Sequence, residues 1–284
     1  MLRLPRSVES NMNQWELPNS AVDYCNQIKF KNIVEGRPNF ALLGASGVLG
    51  QVTATGFYEE MSIVGFDVRP NPNPDIFDRW VQGNAADKSA VQDTVKDADY
   101  VLQLFSGSGL GWDAIVSAEI QGTKNTLEAC VEHGVRRLIL VTSNHVTGMN
   151  EVEYYARKTG ELEKAHTTSV PRPDGLYAAG KLFSEGLARS SCELQGLPVS
   201  VLRLGAMRLI DDPSQVDNGP RFPNLDESGY LKRMNSVWLA HEKWIEVVEE
   251  EIQSTDAFRL RYLPGDSPDA PWTGEIYKWN PKTA

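Results

Sequence analysis

Two tyrosine–lysine pairs at four-residue spacing, Tyr154 with Lys158 and Tyr177 with Lys181, are the residues of this chain best able to move a proton. On a helix such a spacing puts both side chains on one face. The ammonium then favours the phenolate, which makes the tyrosine a base. Spacing alone does not choose between the pairs, so the surrounding residues must. Tyr154 lies in the charged stretch EVEYYARKTGELEKAH, which reads as an inserted, exposed helix. Tyr177 follows the proline-rich entry PRPDG and opens a helical run through Cys192, leading into the apolar segment Val199 to Leu204. That order of strand, crossover helix and strand brings a helix's first turn to the ligand edge of a parallel sheet. Tyr177 is therefore the expected general base and Lys181 its partner, with Lys181 also able to hold a ribose. Ser143, at the end of the apolar run Arg137 to Thr142, can donate to a substrate oxygen. Asn144 and His145 leave the sheet beside it.

The positioning element is NFALLGASGVLG, Asn39 to Gly50. An apolar run, glycines at 44, 47 and 50, and a helical segment over Gln51 to Glu60 make a strand, turn and helix suited to a dinucleotide pyrophosphate. Gly44 permits the turn, Gly47 the approach of the phosphates and Gly50 the close packing of the helix. Ser46 and Val48 complete this part of the expected cofactor site. Ser62 to Val68 reads as the second strand and delivers Asp67 to the ribose, which favours NAD over NADP. Arg69 can offset that preference. Further strands are expected at Trp80 to Gly83 and Asp99 to Phe105, the latter placing Leu104 against the cofactor. Helices are expected over Asp87 to Asp97 and Trp112 to His133.

The fold class is thus α/β, a doubly wound parallel sheet with a small C-terminal substrate-binding lobe. Residues 1–38 form an N-terminal extension, 39–205 the NAD-binding domain and 206–284 the lobe with the last core strand. With 284 residues and 41% hydrophobic content, the chain can bury a large core. A net charge of −10 argues against nucleic acid as a partner. The three cysteines, Cys25, Cys130 and Cys192, have no metal-ligand spacing and fit idle thiols in a reducing compartment. No apolar run approaches the ~18 residues of a membrane span, and a cytoplasmic protein is expected. His133, His166 and His241 lack catalytic context and read as surface or structural residues. Trp238, Trp244 and Trp272 read as core or pocket wall.

GASGVLG, Asp67, Ser143 and Tyr177 with Lys181 together resemble the extended short-chain dehydrogenase/reductase superfamily, in its group of NAD-dependent epimerases and dehydratases. The resemblance runs from Asn39 to Trp279. SNHVTG (Ser143 to Gly148), RPDGLYAAGKLFSEGLAR (Arg172 to Arg189) and RMNSVWLAHEKW (Arg233 to Trp244) are similar to uronate dehydrogenases. Those enzymes oxidise the anomeric carbon of hexuronic acids. The resemblance implies that Ser143, Asn144 and His145 contact a sugar and that Arg233 binds its carboxylate, as a guanidinium fork suits. It also implies a homodimer through the helices after the fourth and fifth strands. Three positions depart from the pattern. Ala206 stands where a second carboxylate ligand is usual, Glu119 where the superfamily has asparagine, and Asn84 where an acid lies near the adenine. Residues 151–164 and 211–230 alter the pocket's flanks. The expected function is NAD-dependent oxidation of a sugar or sugar acid; a nucleotide-sugar epimerase and a non-catalytic NAD-binding protein remain the alternatives.

Overall fold

The computed structural model describes residues 37–156, 164–215, 227–265 and 267–281. Lys158, Cys25 and nearly all of the N-terminal extension lie outside them. Strand β1 (Asn39–Leu43) is followed by helix α1 (Val48–Phe57), β2 (Ser62–Asp67), β3 (Arg79–Gln82), α2 (Lys88–Val95) and β4 (Tyr100–Gln103). A single long helical run then comprises α3 (Trp112–Ile115), a π-helical segment (Val116–Gly122) and α4 (Thr123–His133). Strand β5 (Arg137–Ser143) passes through a 3₁₀ turn (Asn144–Thr147) into α5 (Gly148–Ala156). The chain continues with α6 (Leu176–Gln195), β6 (Val199–Leu204), α7 (Glu227–Val237), α8 (His241–Gln253), β7 (Phe258–Leu263) and β8 (Tyr277–Trp279).

The eight strands form one sheet in the order β3-β2-β1-β4-β5-β6-β7-β8, parallel throughout except for the antiparallel β7–β8 pair. The order reverses between β1 and β4, and a crevice opens there at the strands' C-terminal ends. This is the expected doubly wound fold. Because alternate side chains of a strand face opposite ways, β1 supplies both cores. Phe40 and Leu42 pack with Ile139, Leu202 and Trp244 on one face, while Ala41 and Leu43 pack with Val101, Leu138 and Val201 on the other. All seven residues of β5 are buried, as its unbroken apolar run requires.

Two helix starts and the burial of one helix differ from the sequence reading. Helix α1 begins at Val48 rather than Gln51, because Gly47 already serves as its N-cap and its carbonyl accepts the Gln51 amide at 2.9 Å. The α2 helix begins after Asp87, whose carboxylate caps the amides of Ser89 and Ala90. Helix α5 is not the exposed insertion its charge suggests: Glu151 is only 2% exposed, for reasons set out below. The structural readings of Trp244 and Trp272 hold, both being buried. His241 is buried too, its ring Nε2 2.8 Å from the Arg208 carbonyl. His133 and His166 make surface contacts with Gln92 and Glu275.

Trp244 ties α8 to α1, its indole N–H donating to Thr53 Oγ1 at 2.8 Å from a fully buried position. Trp244→Ala should lower the unfolding free energy by about 3–5 kcal/mol. Urea denaturation checks this, and a loss below about 1 kcal/mol, the size of an average substitution, would contradict it.

Candidate functional site

The glycine loop closes against two strand ends. Gly44 has a φ of +91°, and its amide and that of Ala45 both donate to the Phe66 carbonyl of β2. A side chain there would also strike the backbone of Leu104, which follows β4. Gly50 allows α1 to lie on the loop, since a Cβ at that position would come within 2.4 Å of the Ala45 carbonyl oxygen. Asp67, 7% exposed, accepts the Ser46 amide at 3.1 Å on one carboxylate oxygen. The other oxygen accepts the Arg69 amide at 3.1 Å and pairs with its Nε at 3.4 Å. Asp67 and Arg69 are thus partners.

A cleft of about 740 Å³ opens over this loop, lined by Gly44, Gly47, Asp67, Arg69, Asn84 and Leu104 among others. Its residues fit a dinucleotide. Ser46 Oγ is buried without a hydrogen-bond partner among the described residues, at the point where the loop meets the α1 N-terminus. Val48 begins that helix and Gly47 caps it without using a side chain, leaving the first-turn amides for an anion. Asn84 is turned to the protein, its Oδ1 accepting from Ser117 Oγ at 2.7 Å.

On the other side of the switch point, Tyr177 is the second residue of α6 and half-buried. Lys181, one turn on, is only 3% exposed, and its Nζ lies 5.7 Å from the Tyr177 ring centroid. That ammonium donates to the Phe105 carbonyl at 2.5 Å and the Val141 carbonyl at 3.3 Å. Val141 precedes Ser143 by two residues on β5, so α6 begins at the strand end that carries the serine. Of the other pair, Tyr154 is on α5 and half-buried, and Lys158 lies outside the described residues.

Glu119 is the acid beside Lys181, and the sequence recorded it only as a departure. It is fully buried, lies 3.7 Å from Lys181 Nζ and accepts the Gly107 amide at 3.0 Å. The π-helical segment carries it, a local widening of the helix frequent at functional sites. Burial pushes its carboxyl above the ordinary carboxylate range, against the opposing pull of the Lys181 ammonium and the Gly107 amide.

The expected sugar contacts form one chain of bonds. Ser143 Oγ accepts the His145 amide at 3.2 Å and lies 3.4 Å from Asn144 Oδ1. Asn144 Nδ2 donates to Glu151 Oε2 at 2.7 Å, and Arg233 Nε donates to Glu151 Oε1 at 2.6 Å. The imidazole Nδ1 of His145 lies 2.6 Å from Asp174 Oδ2. Arg233, 7% exposed on α7, is held inside the protein rather than solvated. Sequence reasoning missed Glu151 and Asp174. Glu151 sits in a stretch whose charge imitates a solvated face, and Asp174 lies within the turn-forming PRPDG. Among the described residues no group of three histidines, cysteines or acids could hold a metal. Cys130 and Cys192 are buried and free, and burial pushes both thiols up, keeping them protonated. No helix among the described residues is long and apolar enough to cross a membrane.

The model of the NAD dependent epimerase/dehydratase family matches residues 41–207. The chain belongs to that family. Its cofactor is NAD, as the glycine loop led one to expect, and the chain is an enzyme of the extended short-chain dehydrogenase/reductase type. An L-arabinose 1-dehydrogenase (NAD(P)(+)) of Haloferax volcanii is 25% identical over 70% of this chain and 76% of its own length. A uronate dehydrogenase of Agrobacterium fabrum is 28% identical over 60% of this chain and 54% of its own. This chain therefore matches about half the length of that uronate dehydrogenase. Among solved structures, a glucuronic acid dehydrogenase from Chromohalobacter salexigens superposes with a TM-score of 0.67 at 24% identity, over 87% of this chain and 82% of the other. A uronate dehydrogenase mutant from Agrobacterium tumefaciens complexed with NAD gives 0.68 at 22%, over 84% and 81%. These two likenesses establish the fold, and the resemblance to uronate dehydrogenases is met at low identity.

The raised Glu119 carboxyl has a pH signature. A group that binds its proton more tightly folded than unfolded contributes most to stability below its ordinary range. That contribution is lost as pH rises through the raised folded value. Glutamine imitates the protonated form, so the urea midpoint of Glu119→Gln minus that of the unaltered chain should grow from about pH 4 to about pH 7. A difference that does not change with pH would contradict a buried, titrating Glu119.

Proposed function

We propose that the protein oxidises a sugar or sugar acid with NAD, using Tyr177 as general base. The observation that carries this reading is the seat of Lys181. Its buried ammonium is pinned to the ends of β4 and β5, and Tyr177 stands one turn before it on the same helix, above the strand that ends in Ser143. Tyr177 would take the proton of the substrate hydroxyl. Ser143 would orient that oxygen, with its own Oγ steadied by the His145 amide. Lys181 would hold the phenolate and the nicotinamide ribose. NAD supplies the hydride acceptor. Ser46, Gly47 and Val48 would meet the pyrophosphate, and Asp67 the adenosine ribose. Residues 206–284 would furnish the substrate side of the cleft, with Asn144, His145 and Arg233 around the sugar.

Both curated relatives named above act on sugars or sugar acids, which supports the substrate class. Tyr177→Phe should reduce turnover below detection in an NADH absorbance assay while NAD still binds by calorimetry. Retained turnover would remove Tyr177 from the mechanism. On the same variant NADP should bind at least tenfold more weakly than NAD, and equal binding would remove Asp67 as the selector. Net NADH also separates oxidation from epimerisation, in which the hydride returns to the substrate each cycle.

A homodimer through α4 and α6, which pack side by side, belongs to the same proposal. Sedimentation equilibrium at micromolar concentration should give twice the chain mass, and a monomer there would exclude it.

A further inference from the structure

The guanidinium expected to grip a substrate carboxylate is already holding one. Arg233 Nε donates to Glu151 Oε1 at 2.6 Å, and both side chains are nearly closed to solvent, at 7% and 2% exposure. The second oxygen of Glu151 accepts from Asn144 at 2.7 Å, and Asn144 Oδ1 lies 3.4 Å from Ser143 Oγ. A continuous path of polar contacts thus joins the serine hydroxyl to the arginine, with an internal carboxylate where a ligand's would be needed. The other acid of this edge, Asp174, is likewise occupied, by His145.

An acidic sugar brought to Arg233 would have to share it with Glu151. Two carboxylates on one guanidinium in a site closed to water repel, and the repulsion is weakly screened there. Moving Glu151 aside would also strand the Asn144 amide and leave a buried charge without its partner, which is costly. An uncharged sugar avoids these penalties, because its hydroxyls can donate to the outer lone pairs of a carboxylate whose pair stays intact.

We propose that Glu151 determines specificity: its carboxylate takes the place of a substrate carboxylate on Arg233, so that the site accepts a neutral aldose and disfavours the corresponding uronic acid. The inference rests on the reading of Tyr177 and Ser143 as the oxidation site. In the step it implies, the anomeric C–H bond would break, with bound NAD supplying the acceptor for its hydrogen and electron pair as hydride. The anomeric O–H proton goes to the Tyr177 phenolate, and the C–O bond becomes a lactone carbonyl. An aldose and NAD⁺ give a lactone, NADH and a proton.

The test compares sugars that differ only at C6, galactose with galacturonate and glucose with glucuronate, by kcat/KM with NAD. The unaltered chain should favour the aldose of at least one pair by more than tenfold. Glu151→Gln, which removes the charge and keeps one acceptor oxygen for Asn144, should move that ratio toward the uronate by tenfold or more. A chain with only a structural Glu151 would lose both activities together, leaving the ratio unchanged, and that result overturns the proposal. Preference of the unaltered chain for the uronate also overturns it while leaving Tyr177 in place. Should Glu151→Gln fail to fold, Glu151→Ala prepared in acetate carries the test. Acetate should then raise its melting temperature and compete with uronate, and no effect of acetate overturns the proposal. Where no sugar is turned over, melting shifts in the presence of NAD decide. A shift by aldose alone supports the role of Glu151 and counts against the oxidation reading; no shift by either sugar overturns both.

Discussion

Burial of the Lys181 ammonium is the constraint on which the arrangement of the cleft depends. A charge 3% exposed is costly unless it is paired and hydrogen-bonded, and each of its partners comes from a different element. Phe105 follows β4, Val141 belongs to β5, and Glu119 sits on the π-helical segment. Satisfying one side chain of α6 therefore fixes two strand ends and a helix against each other. Close packing is a precondition. At Gly180 a Cβ would come within 2.9 Å of Ile115 and 3.2 Å of Glu119, so glycine lets α6 approach the π-helical segment closely enough for Lys181 to reach its acid.

Two other buried cations are held in the same manner on neighbouring strands and helices. Arg203 of β6 pairs with Glu185 of α6 through two bonds, at 3.0 and 2.7 Å, and donates to the Tyr262 hydroxyl of β7 at 2.8 Å. Glu185 in turn accepts from Thr142, the residue before Ser143. Arg233 of α7 pairs with Glu151 of α5. Such pairs add little to stability compared with apolar residues of equal size, because desolvation offsets most of their attraction. Their effect is directional. Each locks the orientation of a group next to Ser143 or Tyr177, and a polar site that is already oriented needs little reorganisation when charge develops on a substrate.

The distinction between local and long-range causes explains what the sequence made legible. The glycine loop could be read because a positive φ at Gly44 and close packing at Gly50 are demands of a few consecutive residues, which leave a pattern in them. The placement of α6 could be read because the run from Leu176 leads directly into the apolar strand β6, as a crossover helix must. Glu119 and Glu151 could not be read as buried partners. Their cations are 62 and 82 residues away, and hydrophobic periodicity scores any carboxylate as solvent-facing. Glu151 is doubly hidden, since its neighbours Glu153 and Arg172 do form an exposed pair and give the stretch a surface character.

The two halves of the cleft consequently offer a ligand different physics. On the loop side, Ser46 Oγ has no hydrogen-bond partner among the described residues and no side chain caps the first-turn amides of α1, so an anion there would find unmatched donors. On the side of Ser143, the strong donors and acceptors are already matched to one another within the chain. Asn144, Glu151 and Arg233 form a closed sequence of bonds, and His145 with Asp174 forms a second. A ligand on the first side supplies charge that the fold lacks. On the second it gains more by fitting between satisfied groups than by supplying charge, and selectivity there follows from the penalty for disturbing them.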